Sequence, residues 1–410
     1  MKHLVIIIAV LLVFPHASFA ANRQGLENID AAFIRDGDLW LWTNGEEKKV
    51  TNTGHIVGMP QWSHDRQWIS YQNEAKQGEE IHRELWVYRP NDGMQRKIYH
   101  DSHSPRWAAT KNIIAFMDEE LVNVSDLERF YNVALGVADY EWLPNDDGII
   151  LASSAKLLPN GWTNPVIYKK LLPSDLSKIK LEEAEEFFTI PKEIKKGNID
   201  ILSIYPNSFL FSPSNKWISF IVSPTASWSM DSNMLTVLSN DGKSFQVLDE
   251  VILGVGKPKW APSKDMLAYI AGGGRIVFGF KNKRLKVEEM PASGTLTPQN
   301  YAELDFTWIN NEAIVTSRVI EKEWSNNSSE HPLPALYLVH ISNKKQKQMT
   351  HPPQGHGDYH PFYNKTVNKL IWYRGKSLFD ENMDVWIANV DGTNSEKWLE
   401  NVDVVVIAGE

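Results

Sequence analysis

Between residues 351 and 361 the chain reads His351-Pro352-Pro353-Gln354-Gly355-His356-Gly357-Asp358-Tyr359-His360-Pro361, three imidazoles and a carboxylate on a backbone rich in proline and glycine. Neutral imidazoles and carboxylates are ligands for Zn²⁺, Mn²⁺ or a similar divalent ion, which makes His351, His356, Asp358 and His360 the candidate metal ligands. The same residue types also suit a turn-rich connector that holds no ion. Nothing here is as specific as a Cys-x-x-Cys pair or a His-Glu-x-x-His helix, so a divalent metal and no cofactor both stay open. His55, His100 and His103 fall in two other connectors, and with His356, Asp358 and His360 they make a candidate binding rim. No residue is assigned a catalytic role at this point. A Gly-x-Ser-x-Gly elbow is absent, and the repeats described next leave no room for a serine-hydrolase domain. Gly272-Gly273-Gly274 reads as a hairpin turn rather than a phosphate cradle, because no helix follows it. Trp162, Trp228 and Trp324 lie in or beside long insertions and are candidates for exposed contact surface, including stacking against a ligand.

The elements that must position these residues are announced by a repeat. An aromatic residue is followed nine residues later by an apolar one at Trp62 and Tyr71, Trp107 and Phe116, Trp142 and Leu151, Phe211 and Phe220, and Trp260 and Tyr269, with looser copies beginning at Trp308 and Phe362. Each unit predicts four short strands. The second is the clearest, with strands at 59–63, 68–71, 85–88 and 96–99 and the turn Asn91-Asp92-Gly93, whose glycine supplies the positive φ of a tight hairpin. Similar turns recur at Asn240-Asp241-Gly242, Asp391-Gly392 and Asn44-Gly45. Third strands are predicted at 235–238, 276–280, 336–339 and 385–388, and the charged stretch 172–186 is predicted to leave the blade edge.

Repetition on this scale means one supersecondary unit copied around an axis. The expected fold is all-β: a single β-propeller over residues 31–410 with four-stranded antiparallel blades. Residues 32–51 supply a second, third and fourth strand without a first, and Val402 to Ala408 is a strand with nothing after it. If the C-terminal strand completes the N-terminal blade, two open edges vanish and the ring has eight blades. Seven is the alternative, should the unit at Trp308 be degenerate. In this arrangement the connectors from a fourth strand to the next first strand rim one mouth of the channel, and they carry His55, His100, His103, His351, His356 and His360.

Pro60-Gln61-Trp62-Ser63-His64-Asp65-Arg66, Pro258-Lys259-Trp260-Ala261-Pro262-Ser263-Lys264 and Phe211-Ser212-Pro213-Ser214-Asn215-Lys216 resemble the repeat of the TolB-type propeller family, Pro-x-Trp-Ser-Pro-Asp-Gly followed by a strand. The resemblance spans nearly all of residues 31–410 and implies architecture more than activity, since such blades occur in binding modules and in enzymes. The family's namesake has a mixed α/β domain ahead of its propeller, whereas blades begin here near residue 31. A physical reading stands beside the resemblance: the indole fills the gap between blades, and the Ser-x-Asp turn bonds its own backbone.

Composition agrees with many turns around a large core: 42% hydrophobic, 11% aromatic, with 24 Gly and 21 Pro in 410 residues and no cysteine. Stability must then come from burial and closure rather than disulfides. Residues 1–20 resemble a secretory signal peptide: Lys2, an apolar run from Leu4 to Phe14, then Ala17-Ser18-Phe19-Ala20. That run would rise only about 16 Å as a helix, too short to span a bilayer, so no membrane span is expected in the mature protein. Localisation is expected to be secreted, periplasmic or at the cell envelope. The net charge of −9 carries no basic stripe, which argues against nucleic acid. The expected function is a non-enzymatic, monomeric exported propeller that binds a protein or peptide in the envelope or outside the cell. The alternative is a metal-dependent carbohydrate-active enzyme, polysaccharide lyase-like, that uses the histidine-rich rim.

Overall fold

A computed structural model describes residues 29–290 and 292–408; the leader-like residues 1–20 lie outside the described residues. Eight four-stranded antiparallel sheets follow one another around a ring, so the alternative of seven blades falls away. Val404–Ile407 pairs antiparallel with Ala31–Arg35, placing Phe33 opposite Val405 and Ala31 opposite Ile407. We call this composite sheet blade 1, with Asp38–Thr43 and Glu46–Lys49 as its outer strands. Blades 2 to 8 carry the anchors Trp62, Trp107, Trp142, Phe211, Trp260, Trp308 and Phe362 on their first strands. The unit at Trp308 is not degenerate, since its first two strands run Tyr301–Asn310 and Ala313–Ile320.

The anchors hold the ring through a repeated hydrogen bond. The indole nitrogens of Trp62, Trp107, Trp142, Trp260 and Trp308 donate to the carbonyls of Val406, Gln61, Arg106, Leu210 and Lys259, at 2.9–3.3 Å. Each acceptor lies on the first strand of the preceding blade, one residue before that blade's own anchor. Ile407 therefore occupies the anchor position of blade 1, and the bond from Trp62 to Val406 welds the two ends of the chain. The predicted Ser-x-Asp turn is present as well: Ser63 Oγ donates to Asp65 Oδ1 at 2.7 Å and accepts from Trp68 N at 3.0 Å.

Blade 6 corrects one prediction. Its third strand is Arg284–Glu289, not residues 276–280, and Ile276–Phe278 forms a single 3₁₀ turn. Gly272-Gly273-Gly274 accordingly opens a connector of several residues rather than a tight hairpin. Gly272 has φ 118°, and a Cβ there would collide with the carbonyl oxygen of Asn282. The apolar run 276–280 looked like a strand by composition, yet strict alternation lies further on, where Leu285 and Val287 are buried between charged neighbours.

The same connector buries Lys283, whose ammonium donates to the carbonyls of Gly273 and Lys281. Burial lowers its pKa to about 8, against partial support from Glu250 and Glu321. Between that value and the ordinary lysine range the unfolded chain holds a proton that the folded protein has released, so this group makes stability rise with pH. Replacing Lys283 with methionine should flatten the increase between pH 8 and 10, worth on the order of 2 kcal/mol, in urea unfolding at stepped pH. An unchanged slope would refute the assignment.

Candidate functional site

Strands one and three descend from the face that carries the predicted histidine rim, so the connectors between second and third strands lie on that same face. Two neighbouring cavities share Met59 and Val406. One, of about 650 Å³, lies among blades 1 to 4 and includes Arg106 and Glu141. The other, of about 470 Å³, is lined by Lys259, Asp305, His360, Tyr373, Asp380 and Asp403 together with Val404, Val405 and Val406 of the closing strand.

Two equivalent carboxylate nodes stand on the first strands of blades 4 and 7. Asp139 and Asp305 each lie three residues before a tryptophan anchor, in Asp139-Tyr140-Glu141-Trp142 and Asp305-Phe306-Thr307-Trp308. Each meets a cation from the residue before the preceding blade's anchor: Arg106 Nη2 lies 2.8 Å from Asp139, and Lys259 Nζ lies 3.4 Å from Asp305. Each cation also sits over the aromatic ring that follows the aspartate, Arg106 at 4.6 Å from Tyr140 and Lys259 at 5.0 Å from Phe306. The nodes differ in what the following blade presents. Asp139 accepts from the backbone N–H of Ser208 at 2.8 Å, whereas Asp305 is bonded to the Nδ1 of His360 at 3.0 Å.

A carboxylate only accepts, so Nδ1 of His360 carries a proton, and Nε2 has no described protein partner. His360 reaches this position from a bulge: the register shifts between Tyr359 and Phe362, and the residue adopts φ 47°. A bulge of this kind re-aims a side chain, and a left-handed non-glycine residue is a strain found often at working sites. The ring stands edge-on to Tyr373 and is 47% exposed. Burial pushes the Asp305 carboxyl up, but the Lys259 charge, the His360 ring and the Phe306 N–H outweigh it and hold the group below the usual carboxylate range. The opposite holds for Asp403, where partial burial and the nearby Glu381 raise the carboxyl. A strained, carboxylate-oriented imidazole and a carboxyl of raised pKa therefore share one cavity, a pairing suited to acid–base chemistry.

The other predicted residues do not join them. Asp358 is fully buried, with its carboxylate bound by Arg374 at 2.7 and 3.0 Å and by the Trp372 indole at 3.0 Å, so both oxygens are engaged within its own blade. His351 Nδ1 lies 3.2 Å from the Gln348 amide, and His356 Nδ1 is buried without a hydrogen-bond partner. His103 is bonded to Ser104 and to the Glu119 carbonyl, His100 stacks on Tyr99, and His55 is exposed. Among the described residues no group of three or more His, Cys, Asp or Glu is placed to hold a metal ion, so the structure does not bring the candidate ligands together. Asp305, Lys259 and Asp403 were not singled out from the sequence. The signal for the first two was present in the Asp-aromatic-x-Trp tetrapeptides and in the cation before Trp107 and Trp260.

No family model and no curated protein matches the chain. Solved structures do. A Mycobacterium tuberculosis puromycin-hydrolyzing peptidase overlays with TM-score 0.51 at 11% identity, covering 84% of this chain and 53% of that one. The structure of a eukaryotic initiation factor overlays with TM-score 0.56 at 10% identity, covering 92% and 86%. An oligogalacturonate lyase in complex with manganese overlays with TM-score 0.48 at 10% identity, covering 91% and 84%, too weak a likeness to argue from. This chain spans about half the length of the puromycin hydrolase structures it matches, 53% and 55%. At such identities the likeness establishes the propeller fold alone. It nonetheless corrects the expectation of a non-enzymatic binding protein, which rested on architecture and on the lack of a linear motif. Enzymes stand among the bearers of this ring, and here His360, Asp305 and Asp403 line one cavity from separate blades. Among the described residues no helix is long and apolar enough to cross a membrane.

Proposed function

We propose that this chain is a carbohydrate-active enzyme of the lyase type, an exported TolB-type propeller that breaks a glycosidic bond in its axial cavity. The observation that carries this reading is the 3.0 Å bond between His360 and the partly buried carboxylate of Asp305 in the cavity wall. In such a step Nε2 of His360 takes the proton from the carbon beside a uronate carboxyl, the C–O bond to the neighbouring sugar breaks, and a C=C bond forms in the ring. The departing oxygen takes a proton from Asp403. Asp305 steadies the imidazolium, and Lys259 supplies the nearest positive charge. No step runs through a metal. Export draws on the leader-like residues 1–20, and the family relationship on Trp62-Ser63-His64-Asp65 and the looser copies at Phe211 and Trp260.

The test is incubation of the purified protein with a panel of uronate-containing and neutral polysaccharides, following new reducing ends and the ultraviolet absorbance of an unsaturated product together. Expected is a rise of both on an acidic polymer. Reducing ends without the unsaturated product would replace elimination by hydrolysis, and no product on any polymer would overturn the reading.

A further inference from the structure

Three connectors on the mouth face are fastened into one unit beside the cavity. Residues 224–232 of blade 5 include the helical turn Ala226–Ser229 with Trp228. Arg275 of the blade 6 connector bonds Asp231 at 2.6 and 3.1 Å and the Ser227 carbonyl at 3.1 Å, and Gly274 N donates to the Asp231 carbonyl at 2.8 Å. The blade 7 connector joins through Ser325 N to the Phe278 carbonyl at 2.8 Å and through Glu323 to Lys281 at 2.8 Å. Trp324 lies against Gly274 and Gly279, both in left-handed conformation, and a Cβ on Gly274 would stand 2.9 Å from the indole. Close packing against glycine fixes the indole while leaving it 49% exposed; Trp228 is 41% exposed and Phe278 38%. Ile276 of this unit packs on the same apolar cluster as Tyr373, Leu378 and Met383 of blade 8, which line the cavity, so the unit borders the cavity wall.

We propose that this unit is a subsite platform for the extended chain of a polysaccharide, with Trp324 as its main stacking surface; the proposal rests on the carbohydrate reading above. A pyranose ring presents one apolar C–H face and a rim of hydroxyls. A fixed indole bordered by the Arg275–Asp231 and Lys281–Glu323 pairs matches both. A peptide or protein ligand would be an outcome against it.

The experiment uses the full chain carrying His360→Ala, which binds without cleaving, and measures retardation in gels cast with each polysaccharide of the panel. Expected is retardation by one polymer, weakened about tenfold by adding Trp324→Ala and unchanged by adding Leu171→Ala, which lies exposed on blade 4. Circular dichroism confirms that each variant is folded. Trp324→Phe, which keeps an aromatic face, should restore part of the loss. Equal retardation with and without Trp324 sinks the platform while leaving cleavage by the wild type to stand. A polymer that is retarded but never cut by the wild type sinks the catalytic reading and keeps the platform. No retardation by any polymer overturns the platform.

Discussion

His360→Ala is expected to lower kcat on the cleaved polymer by about 10²–10⁴-fold, the usual contribution of a positioned proton-transfer group. Because the ring is half exposed and its removal leaves Asp305 paired with Lys259, the melting temperature should move little. Asp305→Asn tests positioning. An amide can offer Nδ1 its oxygen but supplies no charge to the imidazolium that forms, so kcat should fall more than KM rises. The matching variant Asp139→Asn disturbs the equivalent node, whose other partners are Arg106 and a backbone amide. It should cost stability and leave kcat within about threefold. If both aspartate variants behave alike, the nodes are blade glue and His360 is not the base.

Ending the chain at Asp403 is expected to cost more than about 4 kcal/mol, estimated from two buried side chains at roughly 1.5–3 kcal/mol each and the loss of a ladder. The deleted strand covers Ala31 to Ile34 along four paired positions. Val405 and Ile407 are 7% and 2% exposed, the Val405 N–H donates to the Tyr373 hydroxyl at 2.7 Å, and Trp62 loses its acceptor on Val406. The strand Ala31–Arg35 would become an open edge of mostly buried residues, prone to pairing with another chain. Urea unfolding and light scattering, with a chain ended at Ala408 as control, read both effects. A truncated protein with an unchanged midpoint would contradict the closure.

The fold was legible because its determinants recur: an aromatic every blade, an Asp-Gly or Asn-Gly turn, and two complementary fragments at the ends. Where one blade departed from the rhythm the reading slipped, as at residues 276–280, whose apolar composition outweighed the alternation of Leu285 and Val287. The site was legible only in part. His360 was visible as a histidine on a first-strand approach, but Asp358, two residues away, points into Arg374 and Trp372 and serves packing. The partner that gives His360 its role is contributed by the neighbouring blade, and a side chain aimed by a left-handed bulge leaves no trace in local spacing. Function follows contacts between blades, while the repeat records contacts within them.

Asp403 and Val404 to Val406 form one wall of the cavity that holds His360. During synthesis these residues leave the ribosome long after Phe33 and Ile34, their partners in the sheet, have been made. Until they dock, the cavity beside His360 lacks this wall. The pocket is therefore completed in a single late event, and a partly made or clipped molecule lacks a closed one.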